Sequence, residues 1–159
     1  MAIKQLEMVA RLERDKEDKL GREFQKAQQH LTQNEQKLDG IEEYRMDYVR
    51  QLQGKSDAGI NINSYSHYQQ FISKLEEALE QQNQIIDTAR QVVGQRKILW
   101  LEQQRKRKAV EMLVNKHYEQ QLKKENKAEQ ALLDEVATQR FFKLQREAQA
   151  KKKKGVLVY

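Results

Sequence analysis

Apolar residues recur along this chain at alternating steps of three and four, and the pattern is interrupted in one short stretch, Gly54 to Gly59. In the first segment the steps fall on Ile3, Leu6, Ala10, Glu13, Glu17, Leu20, Phe24, Ala27, Leu31, Asn34, Leu38, Ile41, Arg45, Tyr48 and Leu52. Eleven of the fifteen are apolar, which selects a heptad seam over chance. After the interruption the same stepping lands on Tyr68, Phe71, Leu75, Ala78, Gln82, Ile85, Ala89, Val92, Arg96, Leu99, Gln103, Lys106, Val110 and Leu113. A parallel row, Ile72, Leu79, Ile86, Val93, Trp100 and Val114, widens the second stripe beyond what one partner helix covers, and such an excess marks either a broad intramolecular contact or a binding face.

The pattern predicts an all-α chain, a long antiparallel two-helix coiled coil whose second helix is the longer. The expected bounds within one domain, 1–159, are helix over about 3–53, turn over 54–63, helix over about 64–148 and a frayed tail at 149–159. Glycines and an Asp in GKSDAGININ supply the backbone freedom for the reversal, and Ser66 with Gln69 three residues on fits a capping box, with Asn63 and Ser64 as neighbouring alternatives. A turn centred near Ala58 sets Tyr48 beside Tyr68 or Gln69 and Ile3 near Val114. Beyond about His117 the second helix then has no intramolecular partner, although Leu122, Leu132, Leu133, Val136, Phe141, Phe142 and Leu144 remain apolar. A long amphipathic extension of this kind is marginal in water by itself and calls for a second protein. Asn34 fits either a register device or a loosely hydrated seam, and Glu13 with Glu17 mark the least tightly zipped part.

Composition agrees with rods rather than globules: 38% apolar, 34% charged and 7% aromatic residues over 159 positions, with no proline. The absence of cysteine excludes disulfides and thiolate chemistry. Acids and bases precede any signal-like apolar core, and no apolar run is long enough to span a bilayer, so a soluble protein without a cleaved signal is expected. From Gln121 on, ten Lys or Arg face five Asp or Glu, and Lys151 to Lys154 are consecutive. That basic end suits nucleic acid, an anionic membrane or an acidic protein face, or is a solvated helix end.

Catalytic signals are weak. Gly54-Lys55-Ser56 lacks the glycine a phosphate loop needs at the place of Val49, and no strand precedes it. His30, His67 and His117 stand at no helical ligand spacing, so no metal and no cofactor is expected. Arg105 to Lys108 near Trp100 is the best nucleic-acid candidate, but Trp100 lies in the apolar row and is expected to pack rather than stack on bases. The chain reads as no enzyme and no nucleic-acid binder.

Three stretches, EQKLDGIEEYRMDYVRQLQ from Glu35, SYSHYQQFISKLEEALEQQ from Ser64 and RKILWLEQQRKRKAVEMLVNK from Arg96, resemble the bacterial flagellar export family FliJ. The resemblance runs over roughly Ala2 to Lys127. It implies a component of the flagellar type III export apparatus with a fold similar to the central stalk of rotary ATPases. Such a stalk inserts into the hexameric export ATPase and stimulates it, contacts the export gate protein FlhA and escorts the export chaperones of minor filament proteins. It works in the cytoplasm, peripherally at the inner membrane. The resemblance carries the family's gate-contacting patch onto Tyr44, Tyr48, Phe71, Leu75 and Ala78, with Ile41 in an aliphatic slot; Gln82 and Lys37 depart from the family's residues at its edges. An ATPase-facing region is carried over only coarsely, around Leu6, Glu13, Glu17 and Leu113. The alternative is a general coiled-coil scaffold or chaperone that binds partner helices without an ATPase; a virulence-secretion stalk is a close variant.

Overall fold

The computed structural model describes residues 2–157. Two helices fill it, α1 (Ile3–Asp57) and α2 (Ile62–Leu157), with no strand among the described residues. Absence of proline leaves every backbone N–H free to join the ladder, and Ala, Leu, Gln, Glu and Lys are strong helix formers. The helices pair antiparallel as a helical hairpin. They divide into two compact units, 8–109 and a second made of 1–7 with 110–159, each described by itself.

The reversal is shorter than the glycine-rich stretch suggests. α1 continues through Gly54, Lys55 and Ser56 to Asp57, and the Ala58 N–H still donates to the Gly54 carbonyl at 3.2 Å. Among the described residues Gly59 alone takes a left-handed conformation, with φ 87°, where a Cβ would strain the backbone. One such residue suffices to turn the chain. Lys55 is tied across the turn to Tyr68: its ammonium donates to the phenol oxygen and lies 4.7 Å from the ring centre. The start of α2 also moves. Asn61 caps it, its side-chain oxygen accepting from the Asn63 N–H at 3.4 Å and its carbonyl from the Tyr65 N–H at 3.0 Å. Ser66 and Gln69 therefore lie inside the helix, and the Gln69 amide donates instead to the Tyr65 hydroxyl at 3.1 Å. At the far end α2 is helical through Leu157, where a frayed tail was expected from 149; Lys151 to Lys154 place four cations on the last turns, favourable at a helix C-terminus. Val158 and Tyr159 lie outside the described residues.

All fifteen expected seam positions of α1 are buried or half-buried. On α2 part of the expected seam is shifted by one residue. Leu75, Gln82, Ala89 and Gln103 line the contact as expected and Ala78 and Val92 stay half-buried, but Ile72, Ile86, Trp100 and Arg107 are covered where Phe71, Ile85, Leu99 and Lys106 are exposed. Ile86 is 2% exposed where Ile85 is 46% exposed. Two physical differences select the inner row. Along the middle of the unit it offers more volume at two positions, Leu79 where the outer row has Ala78 and Trp100 where it has Leu99, and so better fills the gap between backbones there. Its one cation, Arg107, meets a seam carboxylate, Glu17; Lys106, on the outer row, stays in water.

The larger unit is held by a core one side chain thick, with Leu52, Leu79, Ile86 and Ala89 buried. In the second unit Ile3 and Leu6 on α1 and Val110, Val114 and His117 on α2 are half-buried, and Tyr118 donates a hydrogen bond to the Glu7 carboxylate. That bond holds the Tyr118 hydroxyl protonated, raising its pKa. From Tyr118 to Gly155 every residue of α2 is exposed, as the unequal helix lengths imply.

Candidate functional site

Near the turn, steps of three and four on two antiparallel helices bring aromatic residues from both onto one surface. Tyr44 and Tyr48, one helical turn apart, have ring centres 5.4 Å apart. Phe71 comes from α2 and sits 4.4 Å from the Tyr48 ring and 6.3 Å from that of Tyr44; Tyr68 closes the group 5.9 Å from Tyr48. The rings are tilted against one another, an arrangement aromatic quadrupoles favour. Tyr48 is the inner member, and burial followed by the neighbouring Tyr44 raises its hydroxyl pKa, keeping it neutral. Tyr44 is 53% exposed and Phe71 36% exposed, so the cluster presents ring faces to solvent. Ile41, Leu75 and Ala78 are half-buried beside it in sequence register. The six residues onto which the resemblance carries a gate-contacting patch fall near the turn in the larger unit, and Tyr68 joins their rings there. The one-residue shift of the α2 seam explains why Phe71 is available: it stands on the outer row, flanking the contact line.

Further along this unit polar residues cross the seam. Asn34 is buried, and its side-chain and main-chain oxygens both accept from the Gln82 amide at 2.9 Å, while its own amide donates to the His30 carbonyl at 2.8 Å. Asn34 is thus satisfied across the seam by Gln82, as a register device requires. Glu13 accepts from the Gln103 side chain, which also donates to the Glu13 carbonyl at 3.1 Å, and Glu17 pairs with Arg107. The expectation of loose zipping at Glu13 and Glu17 is therefore corrected: each carboxylate is engaged by a side chain of the opposite helix. Sequence reasoning placed Gln103 in the seam but missed Arg107, because it stepped to Lys106; the signal was a seam acid in need of a cation seven positions from Trp100.

The Gln103 amide, and next to it Lys16, hold the Glu13 carboxyl below the usual range, against the opposing effect of burial. A folded-state pKa below the unfolded value of about 4.3 contributes stability at neutral pH that disappears as pH falls through the folded value. Thermal unfolding should therefore be insensitive to this group from pH 7 to about 5 and should weaken below about pH 4.3. Glu13→Gln removes that part of the acid slope; an unchanged slope in the variant would show the carboxylate to be uncoupled from folding.

Leu6 and Leu113, both in the second unit, are half-buried and 54% exposed respectively. Glu13 and Glu17 belong to the larger unit. No group of three or more His, Cys, Asp or Glu able to hold a metal ion occurs among the described residues. No helix among them is long and apolar enough to cross a membrane. Open grooves run along the helix junction, one lined by Ala27, His30, Gln84, Ile85, Thr88 and Val92.

An antiparallel helical hairpin thus carries polar pairs across its seam, an exposed aromatic cluster and, beyond Tyr118, a run of exposed helix. Residues 2–146 match the family described as "Flagellar FliJ protein". A curated relative from Escherichia coli (strain K12), also named "Flagellar FliJ protein", is 31% identical over 105 residues, covering 66% of this chain and 71% of its own. The chain belongs to the flagellar FliJ family and is a flagellar export-related protein. No solved structure matches it.

Proposed function

We propose that the protein is a non-enzymatic stalk of the flagellar type III export apparatus. It inserts into the hexameric export ATPase and stimulates it, contacts the export gate FlhA through the aromatic patch, and escorts export chaperones. Such a protein acts in the cytoplasm, peripherally at the inner membrane. The observation that carries the reading is the two-helix cluster of Tyr44, Tyr48 and Phe71, because exposed aromatic faces held by antiparallel register are costly in a protein without a partner for them. The exposed helical arm from Tyr118 on supports the ATPase part, since a helix lacking tertiary partners gains its stability on binding. Leu6, Glu13, Glu17 and Leu113 are the residues proposed toward the ATPase.

The test has two arms. The purified protein should accelerate ATP hydrolysis by its cognate export ATPase while hydrolysing none alone; absence of both binding and stimulation would argue for a scaffold without an ATPase. Tyr44→Ala should weaken binding to the gate at least about tenfold, the scale of one interface hot spot, while helicity by circular dichroism stays unchanged. Loss of helicity in that variant would assign Tyr44 to the fold instead.

A further inference from the structure

The last six turns of α2 have a surface that neither the seam nor the Tyr44 cluster involves. Between Arg140 and Lys154 there are seven Lys or Arg against one Glu, a net +6, the same as the charge of the whole chain. All of these side chains are exposed. At 100° per residue, Ala137, Phe141, Leu144 and Ala148, separated by steps of four, three and four, share one narrow face. Arg140 and Lys151 border that face on one side and Lys152 on the other. Phe141 is 58% exposed and Leu144 64% exposed, and Phe142 stands next to Phe141 with ring centres 6.0 Å apart. Nothing of the protein covers this stripe among the described residues.

We infer that residues 137–154 form an interfacial helix that docks on an anionic lipid bilayer. The charge decides the partner. A second copy of this arm laid in parallel would bring two +6 segments together, which repels, whereas an anionic leaflet supplies a continuous negative surface that each Lys or Arg near it can meet. The apolar face decides between a bilayer and nucleic acid. Phosphate neutralisation has no use for Ala137, Leu144 and Ala148 in line with Phe141, while a helix lying in the headgroup plane buries such a stripe and lets its flanking Lys and Arg stems reach up to the headgroups. The helix is far too polar to span the bilayer, so it lies on the surface. The inference stands independently of the stalk reading, so failure of vesicle binding leaves that reading untouched.

The test is co-sedimentation of the full chain with phosphatidylcholine vesicles carrying about one third phosphatidylglycerol, against vesicles of phosphatidylcholine alone. Binding is expected to the anionic vesicles, falling steeply as salt shortens the Debye length from about 10 Å at 0.1 M to about 3 Å at 1 M. Replacing Lys151 to Lys154 by Gln should lower partitioning at least about tenfold. Phe141→Ala with Leu144→Ala should also weaken it while keeping the salt dependence, because it removes the apolar part alone. All six positions are exposed, so circular dichroism should show the hairpin intact in both variants. Equal binding to the two kinds of vesicle, or full binding by the Lys→Gln variant, overturns the proposal. So do duplex DNA displacing the chain from vesicles at equal phosphate, which assigns the arm to nucleic acid, and dimerisation lost in both variants without vesicle binding, which assigns it to a second copy.

Discussion

Trp100→Ala is expected to lower the unfolding free energy by about 2–3 kcal/mol, a large share of what a core one side chain thick can supply. The indole stacks on Phe24, with ring centres 5.6 Å apart and planes within 14°. It fits because the residue opposite is Gly21: a Cβ built there would come within 3.1 Å of the indole nitrogen. Gly21, set inside a helix at a propensity cost of about 1 kcal/mol, is thereby explained as the socket for the ring. Truncation to Ala removes the stack and leaves the socket empty, with no second layer of side chains to collapse into it. The half-exposed position keeps the loss below the roughly 3–5 kcal/mol of a fully buried tryptophan. Urea unfolding followed by far-ultraviolet circular dichroism measures it, since the protein's single tryptophan is the residue removed. Gly94→Ala, where nothing lies within 4 Å of the added methyl, serves as the control and should gain up to about 1 kcal/mol. A loss below about 0.5 kcal/mol for Trp100→Ala would place the indole outside the core.

The parts of this fold that depend on period were legible in the sequence, and those that depend on phase were not. Antiparallel register follows from the position of the turn alone, which is why Tyr48 was placed beside Tyr68 and the rings are found 5.9 Å apart. Which of two adjacent apolar rows on α2 faces α1 is a question of about a third of a turn, and a repeat of seven cannot answer it. The volumes of Leu79 and Trp100 and the charge of Arg107 against Glu17 decide it. The reversal was read too long because glycine permits a turn without requiring one; Gly54 remains helical and Gly59 does not. In the candidate site, Tyr44, Tyr48 and Phe71 were carried over from a family resemblance, and geometry added Tyr68. What no periodicity could disclose is that Glu13 and Glu17 are satisfied across the seam, because a polar seam residue looks the same in sequence whether its partner is water or the opposite helix.

The seam pair Asn34 and Gln82 yields the second large effect, in two directions at once. Gln82→Ala leaves the buried Asn34 side-chain and main-chain oxygens without the amide that satisfies them, and should cost about 1–3 kcal/mol. Changing both, Asn34→Leu with Gln82→Leu, removes the polar requirement with its means of satisfaction and extends the apolar seam, so that variant should be at least as stable as the parent. What it should lose is uniqueness. A heptad seam tolerates slippage by seven residues, and a buried polar pair opposes it, since a one-heptad slip sets Asn34 against Leu75 or Ala89. The protein contains no cysteine, so introduced pairs report register without background. Leu38→Cys with Leu79→Cys lies one step along from Asn34 and Gln82 and should oxidise readily in both backgrounds. Leu38→Cys with Ile86→Cys requires a one-heptad slip; it should stay reduced in the parent and cross-link in the Leu/Leu variant. Strict selectivity in that variant would transfer control of register from the polar pair to the short turn at Gly59.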